Sequence, residues 1–126
     1  MTLRAVIDRL AASPAVPRLA AAATLLIGLV FIFVWAPHPW GWQGIDQYHQ
    51  IAIELARGNG FSTLDVPWGY AYFLAPFYRV FGSTPLPALL VQALLNATIP
   101  LMVFAYARRA FDQRVAAIAA LLVGVL

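Results

Sequence analysis

Leu19-Ala-Ala-Ala-Ala-Thr-Leu-Leu-Ile-Gly-Leu-Val-Phe-Ile-Phe-Val-Trp35 decides the fold. The 17 residues carry no charge, and Thr24 is the only polar side chain among them. That length is the lower limit for a helix crossing the hydrocarbon core, where about 20 residues are usual. Arg4, Arg9 and Arg18 precede the run. A cleaved signal peptide is the rival reading, but no small-x-small site follows Trp35, which favours an uncleaved anchor. Upstream, residues 1–18 read as a cytoplasmic lead-in. Leu3, Val6, Ile7 and Leu10 share a helical face, with Arg4, Asp8 and Arg9 opposite. Ser13-Pro14 and Pro17 then break it. A short helix on the bilayer surface and a disordered tail both remain open for it.

The rest of the composition agrees with a membrane span. The chain has 126 residues, 63% of them hydrophobic and 10% charged. A soluble domain of this size has too little interior to hide so much apolar surface, so the expected class is membrane protein. There is no cysteine, which removes disulfides and thiolate metal sites. All eight cations are arginine, a bias that suits a GC-rich bacterial genome. They lie in short groups flanking apolar segments. That is a topology signal, and nucleic acid is not an expected partner.

Residues 36–85 read as a loop outside the membrane. Trp35, Trp40 and Trp42, spaced by Pro37, Pro39 and Gly41, suit an aromatic belt at the headgroups. Asp46 to Arg57 then predicts a short helix. Asp46 can cap its first turn. Tyr48, Ile51, Ala52 and Leu55 make an apolar stripe, and Gln47, Gln50, Glu54 and Arg57 are polar. Glu54 and Arg57 are placed to pair. Gly58 or Gly60 can take the left-handed stop. Twelve residues make about 18 Å of helix, too short to span, so this helix should lie along the interface. Phe61 to Pro67 is a loop. Trp68 to Phe81 is a second short segment, rich in aromatics, interrupted by Pro76 and charged by Arg79. It reads as a second interfacial or half-inserted helix.

Thr84 and Pro85 predict a cap and a first helical position, and residues 86–106 supply a second span. Pro100 within it predicts a kink. Gln92 and Asn96, four apart, share a face expected to point at protein. Residues 107–114 form a cytoplasmic loop with Arg108, Arg109 and Arg114. Residues 115–126 begin a third span. A carboxylate ending there would sit in hydrocarbon, so the expectation is an N-terminal piece of a larger protein. Arginine groups on both flanks, against Asp46, Glu54 and Asp65 facing Arg57 and Arg79 in the loop, orient the chain. The N-terminus is expected in the cytoplasm and residues 36–85 outside it, in a bacterial inner membrane.

The order of these pieces resembles the GT-C membrane glycosyltransferases, within them the protein O-mannosyltransferase and lipid A aminoarabinose transferase group. One span is followed by an Asp-x-Tyr-x-x-x-Ala helix from Asp46 and then by Gly58-Asn-Gly-Phe61. Further matching pieces are Pro67-Trp-Gly-Tyr70, Phe73-Leu-Ala-Pro-Phe-Tyr-Arg-Val-Phe-Gly82, Leu90-Val-Gln-Ala-Leu-Leu-Asn96 and Ala105-Tyr-Ala-Arg-Arg-Ala-Phe-Asp112. The resemblance implies two juxtamembrane helices in the first external loop. It also implies transfer of a sugar from a polyprenyl-phosphate donor to an acceptor hydroxyl. The family's acidic residue near the start of this loop maps onto Asp46; Gln47 stands where many members carry a second acid. An acceptor hydroxyl must lose a proton as it attacks the anomeric carbon, and a carboxylate within reach can take it.

The expected fold is therefore all-α and polytopic, with two full transmembrane helices, a truncated third and two interfacial juxtamembrane helices. Asp46 is the candidate catalytic base, with a plain helix cap as its bland alternative. Tyr48, His49, Asp65 and Arg79 are candidate substrate contacts. Against them stand an apolar stripe for Tyr48, a solvated interfacial histidine, a solvated loop aspartate, and an arginine on bilayer lipid phosphate. No His or Cys cluster has metal-ligand spacing, although a divalent metal is compatible with a full-length enzyme of this kind. Expected partners are membrane lipid, the polyprenyl-phosphate sugar donor, and further transmembrane helices from the parent protein or a partner chain. Two rivals come from other classes: a small non-enzymatic membrane subunit using Gln92 and Asn96 as contacts, and a fragment of a transporter or flippase with Pro100 as hinge.

Overall fold

The computed structural model describes residues 13, 15–35, 45–60, 67 and 69–125, without the side chains at 35, 45 and 46. The expected lead-in helix, Trp40 and Trp42 of the aromatic belt, and Asp65 lie outside the described residues. All the described regular structure is helical. Helix α1 covers Ala15–Val30 and runs on as a π-helical turn, Phe31–Trp35. Helix α2 is Ile45–Ala56, α3 is Gly69–Phe81, α4 is Leu86–Ala110 and α5 is Gln113–Val125.

Two stretches, Ala15–Val34 and Leu86–Ala110, are long and apolar enough to cross a membrane, and α5 is a shorter apolar helix. Their large side chains point mainly outward. On α1 Leu19, Leu26, Ile27, Phe31 and Phe33 are exposed; on α4 Leu94, Leu95, Ile99, Leu101 and Met102 are. A helix of a soluble core would bury such residues. This much exposed apolar surface needs lipid or other helices around it.

The chain forms two compact units. One comprises α1, α5 and α4 from Gln92 onward. Its core is Val16, Ala20, Phe104, Ala107, Ala116, Ala117 and Ala120. Ala116, Ala120 and Gly124 recur every four residues, so they lie along one face of α5, and that face meets α1. Small residues let the two backbones approach. A Cβ built on Gly124 would lie 3.0 Å from the Ala20 carbonyl oxygen and 3.2 Å from Thr24 Oγ1. The Thr24 hydroxyl has two acceptors, the Ala20 and Gly124 carbonyls, each at 2.9 Å. It thus joins α1 to α5 across the interface. Gly28 faces Ala93 just as closely, with a built Cβ 3.2 Å from the Ala93 Cβ.

The second unit, residues 31–91, holds α2, α3 and the start of α4. Its core is Ile51, Ala52, Ala71, Leu74, Tyr78 and Ala88. Ala71, Leu74, Ala75 and Tyr78 are one stripe of α3, spaced for a helical face.

Several local expectations are corrected. Pro17 does not end a helix before the apolar run; it lies in the first turn of α1. The first four N–H groups of a helix have no intrahelical partner, so a missing one costs little there. Ser13 caps that turn, its Oγ accepting from the Ala15 N–H at 3.3 Å. Pro76 does not interrupt α3. The carbonyl it deprives of a partner belongs to Tyr72, and both residues are exposed, on the outer side of the helix. Helix α4 runs on through Arg108 and Arg109 to Ala110, because cations suit the negative end of a helix. The connection to α5 is then short. Asp112 Oδ1 accepts from the Val115 N–H at 2.8 Å and starts α5 as its N-cap. At the head of α4 the Pro85 carbonyl accepts from the Leu89 N–H at 2.9 Å, so Pro85 occupies the cap position and Pro87 the first turn. On α4 Gln92 is half-buried and Asn96 exposed.

Candidate functional site

The juxtamembrane pair α2 and α3 carries the candidate residues. Helix α2 begins at Ile45, which puts Asp46 inside the first turn instead of at the cap. Its side chain lies outside the described residues, as does all of Asp65. The other end of α2 is closed as the glycine spacing predicts. Gly58 takes φ +82°, its N–H donates to the Leu55 carbonyl at 3.1 Å, and the Asn59 N–H donates to the Glu54 carbonyl at 2.9 Å. These two bonds are the Schellman stop, and Gly58 supplies the left-handed residue it needs.

Glu54 and Arg57 pair at 3.1 Å, as their spacing suggests, and Asn59 Nδ2 donates to the second Glu54 oxygen at 2.7 Å. The pair is exposed, so it contributes little to stability. Its consequence is that Arg57 is already engaged by a carboxylate.

His49 is not simply solvated. Its Nδ1 lies 2.8 Å from the hydroxyl of Tyr78, a buried residue on α3, and the rings meet edge-on with centroids 5.4 Å apart. Burial, and secondarily the neighbouring Tyr70, push the Tyr78 phenol up to about 12. The phenol therefore keeps its proton at any physiological pH. It donates to Nδ1 when that nitrogen is bare and accepts when Nδ1 carries hydrogen, so the link survives protonation of the imidazole. Tyr48 has a different role from its neighbour. Its ring packs edge-on against Tyr70 at 5.5 Å, and Tyr70 continues to Phe73 and Phe77 as an aromatic row. Burial also raises the Tyr70 phenol.

Arg79 sits in the last turn of α3, exposed. With Tyr72, Ala75 and Pro76 it borders a groove completed by Leu55 and Ala56. Leu55 is nine residues from Asp46, about 14 Å of helix rise, so this groove lies at the opposite end of α2 from Asp46. The structure thus joins Tyr48 and His49 to α3 and places Arg79 in the groove beside Leu55 and Ala56. Sequence reasoning missed Tyr78 as a site neighbour. The signal available was the Ala71, Leu74, Ala75, Tyr78 spacing, which turns that phenol inward from a helix lying beside α2. Among the described residues no three His, Cys, Asp or Glu side chains gather as a metal site would require.

The model of the dolichyl-phosphate-mannose-protein mannosyltransferase family matches residues 65–126. The match supports a GT-C-type glycosyltransferase. It contains the Pro67–Tyr70, Phe73–Gly82, Leu90–Asn96 and Ala105–Asp112 pieces, and it starts after α2, so Asp46, Tyr48 and His49 lie outside it. No curated protein and no solved structure matches the chain.

Proposed function

We propose, on the premise of that family match over residues 65–126, that the chain belongs to the machinery of a membrane glycosyltransferase. The whole enzyme, of which this chain is a part that would be inactive alone, moves a sugar from a polyprenyl-phosphate donor to an acceptor hydroxyl at the extracytoplasmic face of a bacterial inner membrane. The observation that carries the proposal is the joining of α2 to α3. The helix whose first turn holds Asp46 is tied by His49 to Tyr78, within the family-matched segment.

In this reading Asp46 is the general base. The acceptor oxygen attacks the anomeric carbon, the proton passes to the Asp46 carboxylate, and the lipid phosphate departs with the bonding pair. Asp46 lies in the first turn of α2. His49 and Tyr48 hold that helix in place through Tyr78 and Tyr70. Asp65 stays a candidate substrate contact, and Arg79 is assigned to the phosphate of a bilayer lipid.

The test is Asp46→Asn in the intact membrane protein, assayed for sugar transfer from a polyprenyl-phosphate donor. A base contributes roughly 100-fold or more, so transfer should fall by at least that factor with expression unchanged. Asparagine caps and starts helices nearly as well as aspartate, so a purely structural role would leave transfer intact. Undiminished transfer removes Asp46 from the mechanism.

A further inference from the structure

The groove between α2 and α3 has a composition that the transfer reaction does not use. Tyr72, Ala75, Pro76 and Arg79 follow the i, i+3, i+4, i+7 spacing of one helical face. With Leu55 and Ala56 from α2 they enclose an open groove of about 260 Å³. Five of these six side chains are aliphatic or aromatic, and the sixth is a guanidinium. Unlike Arg57, which Glu54 engages, Arg79 has no ion-pair partner among the described residues. Val80 and Phe81, beside it, are exposed, so apolar surface continues past the groove. The dipole of α3 explains why a cation suits its last turn, but not why an apolar trench leads up to that cation.

We propose that this groove docks one anionic phospholipid of the surrounding bilayer. Its acyl chain lies along Leu55, Ala56, Tyr72, Ala75 and Pro76, and its phosphate rests on Arg79. An apolar channel ending in a single guanidinium complements an amphiphile with a phosphate head. Guanidinium also matches phosphate geometry better than an ammonium does. Free phosphate would gain nothing from the apolar walls. A helix that is amphipathic, short and basic at one end belongs at the depth where such lipids are. The sugar donor is the rival occupant, and Leu55 in the groove wall lies about 14 Å along α2 from the Asp46 turn. The bound lipid instead seats the hairpin on the bilayer. The inference rests on the membrane placement and not on the transferase reading.

The experiment is native mass spectrometry of the detergent-solubilised full chain titrated with phosphatidylglycerol. The wild type should retain one lipid. Arg79→Gln should weaken retention roughly tenfold, the loss of one charge-assisted contact. Arg79→Lys should keep most of it, which separates lost charge from lost structure. Ala56→Phe, which fills the trench, should weaken it comparably while helix content by circular dichroism stays unchanged. Wild-type retention by Arg79→Gln would overturn the proposal. So would displacement of the lipid by inorganic phosphate at equal concentration, which would mean that the walls contribute nothing. Preferential capture of polyprenyl phosphate in competition would overturn it too, and would assign the groove to the donor. Transfer is not measured in any arm, so failure of the glycosyltransferase reading leaves this result intact.

Discussion

The link between His49 and Tyr78 sets what the juxtamembrane pair tolerates at the level of single residues. Removing the phenol oxygen breaks the 2.8 Å bond to His49 Nδ1 in a half-buried site. Tyr78→Phe should therefore cost about 1 kcal/mol, read as a lower unfolding midpoint in detergent. The same residue predicts a response to alkali. Below pH 10 the phenol is neutral in the folded and unfolded chain alike, and it imposes no slope. Between pH 10 and about 12 the unfolded chain loses the proton while the folded chain holds it. The unfolded state then binds fewer protons, so stability falls as pH rises through that window. Tyr78→Phe should flatten the fall. An equally steep loss in the variant would show that another group controls it. The ends of this pair were legible from sequence at Gly58, where the required left-handed residue is a glycine at a helix end. The link was not legible, because nothing in a run of six aromatics says which ring points inward until the neighbouring helix is placed.

At the scale of elements, α1 and α5 associate through the absence of side chains. In lipid the apolar surface of a helix gains little by leaving one hydrocarbon for another, so close backbone contact and hydrogen bonds carry the pairing. Gly124 is the tightest point. The first atom a side chain would meet is the backbone oxygen of Ala20, which cannot rotate away. Gly124→Val should cost about 1–3 kcal/mol and loosen α5. Thr24→Val, which keeps the shape and removes the hydroxyl, should cost about 0.6 kcal/mol. Both are measurable as unfolding midpoints in detergent, and a Gly124→Val protein as stable as the wild type would disprove the close approach. The sequence marks these helices well by length and hydropathy, since each apolar run is uninterrupted by charge. It marks their ends poorly. Pro17, Arg108 and Arg109 look like terminators, but proline is tolerated in a first turn and arginine in a last one. Thr24 looks like an incidental polar residue because its partner, the Gly124 carbonyl, lies 100 residues away.

For the whole molecule, topology is the property on which the functional reading depends. Where α1 and α4 both cross the bilayer, the α2–α3 segment between them in sequence lies on one side and the α4–α5 turn on the other. Arg108, Arg109 and Arg114 crowd that turn, whereas residues 36–85 carry a net acidic excess of one. The charge bias predicts the turn in the cytoplasm and the α2–α3 segment outside. The absence of native cysteine makes the test clean, since one introduced thiol is the only thiol present. Gly60 is exposed, with open space around its Cβ position and no positive φ, so Gly60→Cys introduces no strain. Phe111, between α4 and α5, is also exposed, and Phe111→Cys leaves every arginine in place. In intact cells a membrane-impermeant maleimide should label Gly60→Cys. Phe111→Cys should react only after the membrane is permeabilised. The reverse pattern would put Asp46 on the cytosolic side, away from an extracytoplasmic acceptor, and the proposed transfer would fall with it. The phospholipid groove would survive that inversion, because both leaflets present phosphate to an interfacial arginine.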